Sequence, residues 1–170
     1  MGLLDRPVRS RPPEPPARGP RVRRAPRPDP EEARRRQVEG ARALLERARA
    51  LVADGWVQDA FYVVRGRHGE VRPVSPFGLL LLSRSDVVGA CLVGAVSHAS
   101  AAVDRRERRG QAALAVDNLW EALGGEDADA HPAARAARVR ELARWNDEPG
   151  RSRAEVLALL DRAVTRTNRP

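Results

Sequence analysis

The chain has 170 residues, 42% of them hydrophobic, with 31 basic and 23 acidic side chains and a formal charge of +8. That length suits one folded domain with an appendage. Every basic side chain is arginine, and neither Lys nor Ile occurs. A phosphate loop of the Gly-x-x-x-x-Gly-Lys kind is thereby excluded. The wealth of Ala, Gly, Pro and Arg follows GC-rich coding, so arginine abundance alone carries no functional argument.

Position says more than abundance. Residues 1–30 hold eight arginines and three acids, a net of +5, whereas the other 140 residues hold 23 arginines and 20 acids, a net of +3. The same first 30 residues carry nine of the 14 prolines. A Pro-rich charged segment with few large apolar groups buries too little surface to offset its ordering entropy. Residues 1–29 are therefore expected to be a disordered basic arm of extended, polyproline-like character, and residues 30–167 a single helical domain.

Asp29-Pro30-Glu31-Glu32 starts a first helix. Asp caps, Pro suits the first helical position, and two carboxylates complement the dipole. Val38, Ala41, Leu45, Ala48 and Val52 keep helical spacing, widened by Leu44 and Leu51, and Gly55 is the expected stop near residue 53. Runs at 60–65 and 70–74 flank the Gly-containing stretch 66–69, which predicts a small β-hairpin with Pro73 on an edge strand. A second, buried helix is expected to start near Ser83 or Ser85-Asp86 and run to about residue 103. DRRERRG (104–110) reads as a charged connection that admits some helix. A third helix spans 111–123 and ends at Gly124-Gly125, a loop follows, and Pro132 opens a fourth helix through Trp145. A fifth, 153–166, carries Val156, Leu160, Ala163 and Val164 on one face. The fold class expected is mainly α: a bundle of about five helices with one hairpin after the first.

Residues 144–156, RWNDEPGRSRAEV, concentrate the local signals. Asn146 suits a left-handed C-cap, Pro149-Gly150 the centre of a type II turn, and Ser152 with Glu155 a capping box. A purely structural role accounts for each of these polar residues. The functional reading is that Trp145, Asn146 and Asp147 line a pocket with Trp56, an aromatic wall with an amide and a carboxylate for a small polar ligand.

Gly55-Trp56, the run Cys91-Leu-Val-Gly94-Ala95, and Trp145-Asn146-Asp147 before a short last helix resemble an uncharacterised domain-of-unknown-function family of high-GC Gram-positive bacteria and their phages. The resemblance spans about residues 38–166 and leaves the arm outside. It implies a small stand-alone protein with no assigned activity. The charged 104–110 segment departs from the family's pattern.

Catalytic machinery is not evident. Cys91 is the single thiol, so no intrachain disulfide forms, which fits a reducing cytoplasm. His98 lies seven residues on, and Asn146 could complete a Cys-His-Asn set. Within one regular helix, however, that separation is about 10 Å at 1.5 Å per residue. On the expected helix, Cys91 also falls past the first turn, where the dipole acts most, and a buried apolar role is favoured. His68, His98 and His131 are isolated, and neither zinc spacing nor a calcium-loop pattern occurs, so no metal and no cofactor is expected. Neither FGLLLL (77–82) nor VVGACLVGAV (87–96) reaches the roughly 20 residues that cross a bilayer. Residues 1–6 show no apolar core of a secretory signal.

The expectation is thus a small cytoplasmic binding or regulatory accessory protein without catalytic activity, with a protein or small-molecule partner and no membrane. One alternative is sequence-nonspecific nucleic-acid association. Arg18, Arg21, Arg23, Arg24 and Arg27, spaced along an extended chain, would follow phosphates and release counterions. PPEPP (12–16) would instead suit a partner's aromatic groove. A cryptic enzyme using Cys91 or the Trp145-Asn146-Asp147 corner is the third reading.

Overall fold

The computed structural model describes residues 29–75, 84–126 and 131–168. The arm with its five candidate arginines, the run FGLLLL, Ser83 and most of the acidic loop lie outside the described residues. The described elements are α1 (Pro30–Asp54), β1 (Tyr62–Arg65), β2 (Val71–Val74), β3 (Val87–Ala90), α2 (Leu92–Ser100), α3 (Arg105–Ala122), α4 (Pro132–Asn146) and α5 (Arg153–Arg166). The class is mainly α, as expected.

The N-terminus of α1 forms as its sequence dictates. Asp29 accepts the Glu31 N–H, Pro30 takes the first position, and Ala41, Leu44, Leu45, Ala48 and Val52 are buried. Gly55 ends the helix, but in extended rather than left-handed backbone, with φ −164°. The chain passes straight into pairing with β3: Ala90 N–H donates to Gly55 O at 2.9 Å and Val57 N–H to Ala90 O at 3.3 Å. A Cβ at position 55 would collide with the Val88 carbonyl. Close backbone approach, and not a positive φ, is what requires glycine here.

The hairpin pairs β1 with β2 in antiparallel register, Tyr62 opposite Val74 and Arg65 opposite Val71. It is part of a larger sheet. β3 joins the other side of β1, giving an antiparallel sheet of order β2-β1-β3 with an irregularity between Val63 and Val64. The expected second helix is corrected accordingly. At the expected start, Arg84–Asp86 form a single 3-10 turn, Val87–Ala90 is a strand, and the α-helix starts only at Leu92. A short, wholly apolar run does not distinguish a buried strand from a buried helix; here the open side of β1 decided it. Gly89 fits for the same reason as Gly55, since a Cβ there would press on the Gly55 carbonyl. α2 also ends early, at Ser100. Arg108 reaches back from α3 and donates to Ala101 O and Val103 O, taking up carbonyls past the helix end.

The charged 104–110 segment, expected as a connection with some helix, is helical from Arg105 onward and belongs to α3. Asp104 accepts the Arg106 N–H at 2.8 Å and starts α3 five residues before Gly110. Gly110 is retained inside the helix by close crossing with α1. A Cβ on Gly110 would press on the Gln37 side chain, and one on Gly40 of α1 would collide with the buried Gln111 side chain. Each glycine thus receives a glutamine from the other helix.

α1 lies at the centre, against α2, α3 and α5. Its stripe meets Leu92, Ala95, Ala99, Ala115, Leu119, Leu142, Val156, Leu159, Leu160 and Ala163 in one core. α4 is different. Its buried residues are Arg138, Leu142 and Asn146, spaced by four along one face, so polar groups flank a single leucine. Asp117 on α3 takes both Arg138 and Arg135, the latter at 2.8 Å. The turn into α5 follows its sequence: Gly150 has φ +86°, Arg151 N–H donates to Glu148 O at 3.0 Å, and Ser152 with Glu155 closes the capping box. Asn146 is not a left-handed cap. It is the last residue of α4, Asp147 takes the cap position at φ −91°, and Asp59 is the non-glycine with positive φ among the described residues.

Candidate functional site

Asn146 is fully buried, and its amide is bonded at every position. Oδ1 accepts from the Trp56 indole N–H at 2.9 Å and from the Leu92 main-chain N–H at 3.0 Å. Nδ2 donates to Val57 O at 3.1 Å and to Asp147 Oδ1 at 2.7 Å. An amide has two acceptor and two donor positions, so none remains for a ligand. Asn146 is a positioning residue that ties the end of α4 to the segment after α1 and to the start of α2.

That single side chain explains why three short motifs far apart in sequence belong together. Trp56 supplies the indole. The run from Cys91 to Ala95 supplies Leu92 N–H and fits only because Gly94 is small: a Cβ there would collide with the Phe61 carbonyl. Trp145-Asn146-Asp147 supplies the amide. Asp147 extends the arrangement, its Oδ1 accepting the Asp59 N–H at 3.1 Å. Gln58 donates to Asn146 O and Glu148 O, each at 3.1 Å, and so closes the C-terminus of α4 from outside. Sequence reading did not single out Val57, Gln58, Asp59 or Phe61. Three of the four act through main-chain groups, which leave no residue-type signal, and an isolated Gln has no local pattern.

Of the four expected pocket residues, the structure brings Trp56, Asn146 and Asp147 together. Trp145 is engaged elsewhere. The Arg151 guanidinium lies over its ring at 4.0 Å, and Arg151 Nε donates to Trp145 O at 3.0 Å, so this tryptophan stiffens the turn between α4 and α5.

Cys91 is corrected in position. It is the N-cap of α2, with Sγ accepting the Gly94 N–H at 3.3 Å, and is only 4% exposed. Burial pushes its thiol above the usual range, the Gly94 bond pulls the other way, and the charge on Asp147 adds to the rise. The buried apolar role expected of it fits this environment. His98 lies against Tyr62 with ring centroids 6.3 Å apart. Among the described residues no cluster of three His, Cys, Asp or Glu is placed to hold a metal ion, and no helix is long and apolar enough to cross a membrane.

Beside the Asn146 corner lies a cleft of about 360 Å³, lined by Asp59, Ala60, Phe61, Pro73, Val74 and Ser75. Its lining combines one acidic residue, Asp59, with the apolar residues Phe61, Pro73 and Val74.

The model of a family of unknown function, DUF6197, matches residues 36–166. The chain belongs to this family. The DUF6197 region begins inside α1 and ends with α5, so it contains the Asn146 corner, the sheet and the core, and leaves the basic arm outside. No curated protein and no solved structure matches the chain.

Proposed function

We propose that this DUF6197 member is a cytoplasmic binding or regulatory accessory protein, one helical domain over residues 30–167 with a basic arm, whose ligand face is the cleft beside Asp59. The observation that carries this reading is the division of labour at the corner. Asn146 and Asp147 hold the segment 57–59 rigidly, while the carboxylate that this segment presents borders an open cleft. Asp59 has a left-handed backbone, φ +55°, a conformation uncommon outside glycine and kept only where surroundings impose it. Here the Asp59 N–H bond to Asp147 Oδ1 accompanies it. A volume of about 360 Å³ lies near the lower end of the range for small-molecule sites. A lining that joins an acidic residue to an aromatic and two aliphatic ones suits a small organic cation with an apolar body. Burial of Cys91 and saturation of Asn146 weigh against either acting in catalysis.

The test is amide chemical-shift mapping with benzamidine and putrescine as probes and acetate as the anionic control. Shifts at Asp59–Phe61 and at Val74–Ser75 with a cation, absent with acetate and lost in Asp59→Asn, support the reading. Asn tolerates the left-handed backbone, so that substitution removes charge while keeping the conformation. No shift with either cation, or equal shifts in Asp59→Asn, overturns it.

A further inference from the structure

We propose that the β1–β2 hairpin is a docking element for the phosphodiester backbone of nucleic acid, with Arg65, Arg67 and Arg72 as its contacts. This goes beyond the cleft and does not depend on it. Every residue from 67 to 73 is exposed, as is Arg65, and Val71 at 56% is the one large hydrophobic standing out in solvent among the described residues. Alternation places Tyr62 and Val64 on the core face of β1 and Val63 and Arg65 on the other. Arg72 pairs with Val64 and so stands on the same face as the core residues, beyond the reach of the core. The ribbon therefore carries Arg65 on one face, Arg72 on the other and Arg67 at the tip.

Three observations make this charge available to an anion. Several arginines on the helices pair with acids, Arg36 with Glu32, Arg42 with Glu46, Arg49 with Asp161 and Arg151 with Glu148 and Glu155; others there, such as Arg47, Arg105 and Arg109, make no ion pair among the described residues, so the hairpin is set apart by its projection together with its unpaired charge. Arg65, Arg67 and Arg72 make no ion pair among the described residues. The acid at the tip, Glu70, is folded back over the turn, its Oε2 accepting the His68 N–H at 3.0 Å and its other oxygen lying over Gly66. The outer edge also lacks a donor that another strand would use. Gly66 N–H bonds Glu70 O at 2.7 Å, so alternation along the ladder makes Val63–Pro73 a non-hydrogen-bonded pair whose main chain faces outward. Proline has no N–H to offer there, which disfavours β-pairing by a protein partner. A twisted two-stranded ribbon with arginines on both faces fits against a duplex groove while its guanidinium groups reach phosphates.

The experiment is fluorescence anisotropy of a labelled 20-base-pair DNA duplex with the full chain over a series of salt concentrations. Each phosphate contact adds about 0.9 to the slope of log affinity against log salt. In the full chain, R65Q/R67Q/R72Q is expected to lower that slope by about 2 to 3 and to weaken binding by about tenfold or more at about 0.1 M salt. A second variant, replacing Arg18, Arg21, Arg23, Arg24 and Arg27 by Gln, separates the arm from the hairpin. If only this arm variant loses affinity, the hairpin proposal is overturned, as it is if the wild-type chain does not bind. Val71→Arg adds a charge at an exposed site and is expected to steepen the slope. An unchanged slope in that variant, should the triple variant fail to fold, overturns the proposal too.

Discussion

The middle and the end of α4 bury polar groups in opposite ways. Midway along it, Arg138 reaches Asp117 of α3 in an ionic cluster that also takes Arg135. At its last residue, neutral Asn146 meets Trp56, Val57, Leu92 and Asp147. Between them α4 buries a single apolar residue, Leu142. The helix is thus located by directional contacts at its middle and its end more than by a hydrophobic stripe. The two places differ in what they can exchange. An ionic cluster built from side chains alone can be replaced by apolar packing, because its buried members, Asp117 and Arg138, can be removed together while the more exposed Arg135 turns to solvent. Two main-chain groups that bond Asn146 cannot be removed, so its loss orphans them.

The largest effect is expected from Asn146→Ala. Leu92 N–H, the Trp56 indole and Val57 O would lose their partner in a buried site, at about 1–3 kcal/mol each before relaxation, so a total near 4 kcal/mol is expected in urea unfolding followed by Trp fluorescence. Asp117→Asn should cost somewhat less, about 3 kcal/mol, by leaving Arg138 buried beside a neutral group. The double variant Asp117→Leu with Arg138→Met sharpens the contrast. It should recover most of that loss, and a double variant as unstable as Asn146→Ala would break the distinction drawn between the middle and the end of the helix. Gly94→Ala comes next at about 2 kcal/mol, because the added methyl meets the Phe61 main chain, which side-chain rotation cannot relieve. Ser152→Ala should cost about 1 kcal/mol through loss of the cap.

Two titrations accompany these. Glu155 is held below the usual carboxylate range, first by the Ser152 hydroxyl and main chain and then by Arg151. A depressed folded value gives stability that is present above the unfolded carboxylate value and fades as pH falls through the folded one. Ser152→Ala should therefore flatten the acid side of the stability profile. The Cys91 thiol is shifted the other way. Its contribution is complete below the ordinary thiol value and is lost as pH rises toward the folded value. Labelling of native Cys91 at pH 8 should run far slower than in urea, and equal rates would contradict its burial.

Local physics reached a long way into this fold. Residues 29–32 specified the start of α1, residues 149–155 specified the last turn and the cap of α5, and the spacing of Ala41, Leu45, Ala48 and Val52 specified the central helix. These depend on neighbours a few positions apart, and the same side chains would act alike in many contexts. What the tertiary structure alone decided depends on partners dozens of residues away. Val87–Ala90 became a strand because β1 had an unpaired edge to offer. Residues 104–110 became helix because Gly110 and Gly40 let α3 and α1 cross closely around Gln37 and Gln111. The Trp-Asn-Asp corner was visible as a cluster of informative residue types, yet its sequence pattern suited a turn, a cap and a pocket equally well. Only the long-range bonds of Asn146, to residues 56, 57 and 92, select the first-order role of that side chain as a structural tie, because the hydrogen-bonding capacity of one amide is finite and the fold uses all of it.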